Sequence, residues 1–344
     1  MTFRAVCWLA YVSCILAGAA HVSAATTCDR ACLRTALDQY LDAVVKHDPS
    51  AAPLFVGFRQ TENAIVVRAG TGVWKTVTAL GKVQRRFLDP VSGQAGYFGI
   101  VEEGGTMAVA TLRLKVEDRK ITEAEWVIAR KDGFGPNGPS GALLNPDSLI
   151  ANPPPDRTVA KEARSSREAM LAVANSYFDG LTTHDGAIIM HEPGCTRVEN
   201  GTITAGRGRS GRGAAQDGRG GQPAPVAVPA GGDCSSNLEQ INISLVAARR
   251  YPIVDEEAGV VLGMVVFMRK PGTPMRRNLL TEFFFIDNNR IRSIYAAMFY
   301  PPSDAPVPNW PPYDGNWPLP ASALPTTAQG AGSSGPAPPP APNR

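Results

Sequence analysis

The stretch Tyr177 to Gly201, YFDGLTTHDGAIIMHEPGCTRVENG, repeats Tyr40 to Ala64, YLDAVVKHDPSAAPLFVGFRQTENA. Aligned without a gap, the two share seven identities in 25 positions: Tyr40/Tyr177, Asp42/Asp179, His47/His184, Asp48/Asp185, Gly57/Gly194, Glu62/Glu199 and Asn63/Asn200. Background composition gives about one or two. A second echo follows each copy, Arg85-Arg86-Phe87 with Asp89 and Arg249-Arg250-Tyr251 with Asp255. A chain that repeats itself in this way reads as two related domains.

Local patterning fills in each copy. Leu33, Leu37, Tyr40, Leu41, Val44 and Val45 have the spacing of one buried helical face. In the second copy Ser165 and Glu168 stand in capping-box spacing, and Met170, Val173, Ala174, Tyr177 and Leu181 form the matching face. His47-Asp48-Pro49 and His184-Asp185-Gly186 end these helices. A short second helix and a strand carrying Glu62-Asn63 or Glu199-Asn200 are expected next. The first copy then continues with a helix-like piece, Trp74 to Arg86, and strands at Ala95 to Val101, Met107 to Val116 and Ile121 to Ala129. The second keeps the same order, with a helix around Leu238 to Arg249 and strands near Val260 to Met268, Leu279 to Ile286 and Ile291 to Tyr300. Helices followed by an antiparallel meander define an α+β class, with helices covering one face of a curved sheet and a cavity expected at its open end.

The segments outside the repeat set the compartment and the domain limits. Residues 1–24, with Arg4, an apolar run and Val22-Ser23-Ala24, read as an export signal peptide rather than an uncleaved anchor. The domains are expected at 25–130 and 165–300, joined by a Pro/Gly-rich linker at 131–164. A Gly/Arg-rich insertion at 206–232 and a Pro-rich, disordered tail at 301–344 complete the chain. Cleavage removes one arginine and lowers the formal charge from +3 to +2 (3 − 1), too near neutral to argue for nucleic acid or an anionic membrane. Four cysteines remain, and an exported chain pairs them: Cys28 with Cys32, and Cys195 with Cys234. A four-thiolate zinc site is the rival; the spacing is not that of a zinc knuckle.

The helical tyrosine, the aspartate eight residues later, the apolar helix, the Glu-Asn strand and the closing meander together resemble the nuclear transport factor 2-like superfamily, which includes SnoaL-like cyclases and ketosteroid isomerase. The resemblance spans about Cys28 to Arg130 and Ser165 to Tyr300. It implies two cone-shaped domains packed against each other, and either cofactor-free lyase or isomerase chemistry or a binding module. Tyr40 and Tyr177 match the isomerase's oxyanion-stabilising tyrosine. Asn63 and Asn200 fall where that family has its general-base aspartate, and an amide cannot abstract a proton. The later pocket acid has no counterpart in Met107 to Val116.

The residues themselves suggest the same chemistry. Tyr40 and Tyr177 could donate to an oxyanion, or be core tyrosines bonded to a carbonyl. His47 and His184 could act as general bases oriented by Glu62 or Glu199, or simply occupy the last helical turn while Asp48 and Asp185 cap the next helix. Of each Glu-Asn pair one residue faces inward: a buried glutamate would be an acid or base, a buried Asn63 or Asn200 a ligand-orienting amide beside Asp48 or Asp185. His191-Glu192 occurs only in the second copy, without a zinc signature. No nucleotide loop, nucleophile elbow or Cys-His pair is present. The leading expectation is therefore a lyase or isomerase for a small, partly apolar carbonyl or phenolic compound, with no cofactor or metal. The alternatives are a small-ligand-binding protein of the cell envelope and a structural tandem.

Overall fold

The computed structural model describes residues 28–133, 135, 143–206, 232–272 and 277–301. The expected signal peptide, most of the Gly/Arg-rich insertion and the Pro-rich tail beyond 301 lie outside those residues.

The first half begins with α1, Arg30–Val45, capped by the Asp29 carboxylate, which accepts from Cys32 N at 2.8 Å. Its buried face is Leu33, Ala36, Leu37, Tyr40, Leu41, Ala43 and Val44. A 3-10 turn at Pro49–Ala51 leads into β1, Leu54–Glu62, and β2, Ile65–Val67. After one helical turn, α2 (Val73–Thr76), come β3 (Ala79–Asp89), β4 (Gln94–Glu103), β5 (Thr106–Glu117) and β6 (Lys120–Ala129). The sheet order is β2-β1-β6-β5-β4-β3, with β1 parallel to β6 and every other pair antiparallel.

The second half repeats this. Helix α3, Pro146–Ala151, precedes α4, Arg167–Thr183, and a 3-10 turn at Gly186–Ile188. Then come β7 (His191–Glu199), β8 (Thr202–Ala205), β9 (Ile243–Asp255), β10 (Val260–Arg269), β11 (Arg277–Asp287) and β12 (Arg290–Phe299), ordered β8-β7-β12-β11-β10-β9. The chain is two α+β domains, each a six-stranded mixed sheet with helices against it. Both expected disulfides are present, Cys28–Cys32 and Cys195–Cys234. No helix among the described residues is long and apolar enough to cross a membrane.

Three expectations are corrected. The Trp74 to Arg86 piece is helical only over α2 and then becomes strand β3. Leu238 to Arg249 is a 3-10 turn at Leu238–Gln240 followed by β9. The cap of α4 is Ser166, whose hydroxyl accepts from Ala169 N at 3.2 Å, and not Ser165. The linker is packed in its described part: Leu149 of α3 is fully buried, Arg85 donates to the Pro154 carbonyl at 2.7 Å, and the Tyr295 hydroxyl donates to the Pro153 carbonyl at 3.2 Å.

Side chains of the two sheets also touch. Phe87 and Phe98 meet Phe283, the Phe87–Phe283 centroids lying 4.7 Å apart. Arg30 forks onto Asp255 at 2.8 and 2.9 Å, and Arg167 onto Asp89 at 2.9 and 2.6 Å. Each carboxylate also accepts a backbone N–H from the other half: Asp255 from Leu88 and Asp89 from Val254. Arg250 forks onto Glu125 at 3.1 and 2.6 Å. Burial pushes the Glu125 carboxyl up, but Arg250 and Arg113 hold it below its ordinary value.

Candidate functional site

The two copies place the same tyrosine in different surroundings. Tyr40, fully buried on α1, donates to Gln60 Oε1 at 2.9 Å and accepts from Trp126 Nε1 at 3.1 Å. Trp74 Nε1 donates to the same Gln60 oxygen at 2.7 Å. The Tyr40 hydroxyl is satisfied in both directions inside a packed aromatic group, which is the core-tyrosine alternative. Tyr177, on α4, instead accepts from Arg197 Nη1 at 3.0 Å, and its own O–H has no acceptor among the described residues. Burial pushes the Tyr177 phenol up against the pull of Arg197, so the hydroxyl keeps its proton and remains a donor.

Strand register explains the difference. Across the second sheet one row runs Gly263, Glu282, Ala296, Glu199, on the face that packs against α4. The corresponding row of the first sheet runs Tyr97, Leu112, Trp126, Glu62. Thr111 and Thr281, the residues just before Leu112 and Glu282, hydrogen-bond each other at 2.6 Å, which fixes the correspondence. The first interior is filled by Tyr97, Leu112 and Trp126; the second replaces them with glycine, a carboxyl group and alanine.

Glu282 is the unusual member of the row. It is 0% exposed, and neither carboxylate oxygen has a hydrogen-bond partner. Burial drives its carboxyl well above the ordinary range, the Glu199 carboxylate adds to the shift, and Arg197 opposes it. Burial of this kind favours the protonated form of a carboxyl group over the charged one. Glu199 stands two strands away, about 10 Å by strand spacing, and is ion-paired to Arg197 Nε at 3.2 Å. The arrangement is thus a buried acid without a hydrogen-bond partner, an ion-paired carboxylate and a free phenolic donor around one interior face, alongside Phe178 and Phe284.

The remaining expected residues are engaged elsewhere. His47 and His184 lie just past their helices in the left-handed region, with φ of 58° and 60°, and not in the last helical turn. Each donates Nδ1–H to a carbonyl, His47 to Trp74 at 2.6 Å and His184 to Leu238 at 2.9 Å. They fasten the following segment to the helix end. Glu62 accepts from Val73 N at 2.9 Å and pairs with Arg130 at 2.7 Å, so it caps α2. Asp48 accepts from the Ser50 hydroxyl and N–H, which hold its carboxyl below the usual value; Asp185 accepts from Ala187 N at 2.9 Å. Both cap 3-10 turns. Asn63 and Asn200 sit in the turn after the strand, each with φ of 49°. Asn63 Oδ1 accepts from Ile128 N at 2.8 Å, and Asn200 bonds both Met298 N and Met298 O at 2.7 and 3.0 Å. These amides knit β1 to β6 and β7 to β12. His191 borders an open groove of about 530 Å³ with Asp185, Ser235 and Glu239, and no metal-holding cluster occurs among the described residues.

Glu282 and Arg197 are absent from the residues expected on sequence grounds. The signal is there: Glu282 is a lone acid in the apolar run Leu279–Ile286, and Arg197 stands where the repeat has Gln60. Glu282 lies on β11, the strand of the second copy that corresponds to Thr106–Glu117 of the first.

Residues 163–298 match the family model described as a domain of unknown function (DUF8021), which takes in α4, the second sheet and the whole of this site. No curated protein matches the chain.

Proposed function

We propose that this is an exported tandem of two nuclear transport factor 2-like cones, and that its second domain is a cofactor-independent lyase or isomerase acting by proton transfer on a small, partly apolar carbonyl or phenolic compound. The observation that carries the reading is Glu282, an acid with two unpartnered oxygens in an interior shared with Tyr177, Arg197 and Glu199. Glu282 is buried without a hydrogen-bond partner and Glu199 is ion-paired to Arg197, two different settings for two carboxyl groups, which is how an acid–base pair is arranged. Glu282 gives its proton to the substrate oxygen as charge develops there. Tyr177 donates a second hydrogen bond to that oxygen. Glu199, ion-paired to Arg197, takes the proton from carbon.

The first domain is read as a scaffold because its interior is occupied by Trp126, Tyr97 and Trp74. Reciprocal contacts of Arg30 with Asp255 and Arg167 with Asp89 support a fixed pairing of the two cones. Paired disulfides and the leading apolar segment support export.

The test is hydrogen–deuterium exchange at carbon, followed by NMR, with a panel of enolisable ketones and phenols in deuterated buffer. Exchange of at least one compound is expected with the native protein, falling about 100-fold or more in Glu282→Gln and in Glu199→Gln. Saturable binding without exchange would replace the enzymatic reading with the ligand-binding one. Exchange that survives Glu282→Gln unchanged would remove Glu282 from the chemistry.

A further inference from the structure

A second buried polar group with nothing to bond lies on the same strand face as Glu282. Asn278 is 0% exposed, and its Nδ2 has no hydrogen-bond partner, while its Oδ1 accepts from Arg269 Nε at 3.2 Å. That acceptance fixes which end of the amide is the nitrogen. Arg269 ends β10, is only partly buried, and lies with its guanidinium 5.5 Å from the Tyr300 ring centroid. An amide N–H₂ beside a guanidinium stacked on a phenol is a donor set for a carboxylate.

Residues 278, 280, 282 and 284 alternate onto one face of β11. Between Asn278 and Glu282 that face presents Leu280, flanked by Val265 on β10 and Met298 on β12. The two unmet polar groups are therefore separated by an apolar row and by four residues of strand, about 13 Å. An apolar stretch with one polar group stranded at each end matches a ligand with the same order of chemistry.

The geometry points to an elongated oxo-acid as the ligand: a carboxylate held by Asn278 and Arg269, an apolar spacer along Leu280, Val265 and Met298, and a carbonyl or hydroxyl oxygen at Glu282. This rests on the reading that places the site inside the second domain, and adds the substrate class to it. Arg269 and Asn278 position the ligand and take no part in proton transfer.

Calorimetric titration of the mature full chain with straight-chain monocarboxylates of increasing length, and with their methyl esters as uncharged controls, tests the assignment. Acids should bind saturably and more tightly than esters, with affinity rising until the tail reaches about 13 Å and then levelling. Asn278→Leu and the partly exposed Arg269→Gln should each weaken acid binding by about 10- to 100-fold and leave ester binding unchanged. Glu282→Gln should keep the acid-over-ester preference even where it abolishes proton exchange, which separates this assignment from the catalytic one. Acids that bind no better than esters, or a preference untouched by both Asn278→Leu and Arg269→Gln, would overturn it.

Discussion

Replacing Glu282 by glutamine keeps the shape of the side chain and removes its ability to ionise, so the variant measures what burying this carboxyl does to stability. An exposed carboxyl in the unfolded chain titrates near 4.5, and the folded group is raised well above that by burial and by Glu199. Below pH 4.5 both states are protonated and the group contributes no pH dependence. Above it the unfolded chain ionises while the folded one does not, so the native state loses about 1.4 kcal/mol per pH unit until its own carboxyl titrates. The variant should therefore gain steadily on the native protein as pH rises from about 4.5 towards the raised value of the folded acid. Urea unfolding at a series of pH values gives the quantity directly, and the other titrating groups cancel in the comparison. The groups bearing on Glu282 are Glu199, Arg197, Tyr177 and Tyr251, none of which the substitution alters. A stability difference that does not change with pH, or one in which the native protein gains as pH rises, would refute a buried neutral Glu282.

Other outcomes separate the two domains. Tyr40→Phe leaves the Trp126 N–H without its acceptor and should lower stability by about 1–3 kcal/mol in urea unfolding without altering ligand binding or exchange. Tyr177→Phe should instead lower proton exchange as well, and because it takes the acceptor from the buried Arg197 Nη1 its stability should fall by at least as much. Asp89→Asn removes a buried charge that Arg167 and Val254 N both contact, and should destabilise the chain by about 3–5 kcal/mol, as should Asp255→Asn. Deleting the Cys195–Cys234 bridge, which spans 39 residues, should lower stability by about 4 kcal/mol on the chain-entropy estimate. Deleting Cys28–Cys32, separated by 4, should lower it by only about 2 kcal/mol. Denaturant midpoints of the two double-serine variants check that order.

The elements that the sequence makes plain are those whose periodicity runs unbroken. Gln94–Glu103, Thr106–Glu117 and Lys120–Ala129 are expected as strands almost to their ends, because turn residues bound each apolar run. β3 and β9 read as helices for a definite reason. The β3–β4 register shifts between Leu80 and Gln84, and the β9–β10 register shifts between the Leu262 and Met264 partners. A bulge adds a residue and breaks the period of two, leaving apolar side chains three or four apart. The packing of the linker is not legible at all. Composition reports that Pro153-Pro154-Pro155 cannot form helix or sheet, but says nothing of Arg85 and Tyr295, which reach from both sheets to bond its carbonyls.

The repeat itself shows why the site is only half legible. An identity shared by two copies marks what both domains require, and what both require here is the fold. His47 and His184 fasten the helix ends, Asp48 and Asp185 cap the 3-10 turns, and Asn63 and Asn200 tie the hairpin to the last strand. Each of these is a candidate because it recurs, and each holds its copy together. The proposed chemistry rests on positions where the copies part company, at Gln60 against Arg197, Leu112 against Glu282 and Trp126 against Ala296. None of those differences stands out in an alignment read for matches, since Glu282 becomes conspicuous only when strand register sets it opposite Gly263 and Ala296. Tyr177 belongs to both sets. It keeps the residue of the first copy but exchanges an amide acceptor for a guanidinium donor, and that exchange leaves its proton free. In this tandem, what sets the second copy apart is the polar groups it holds where the first has core.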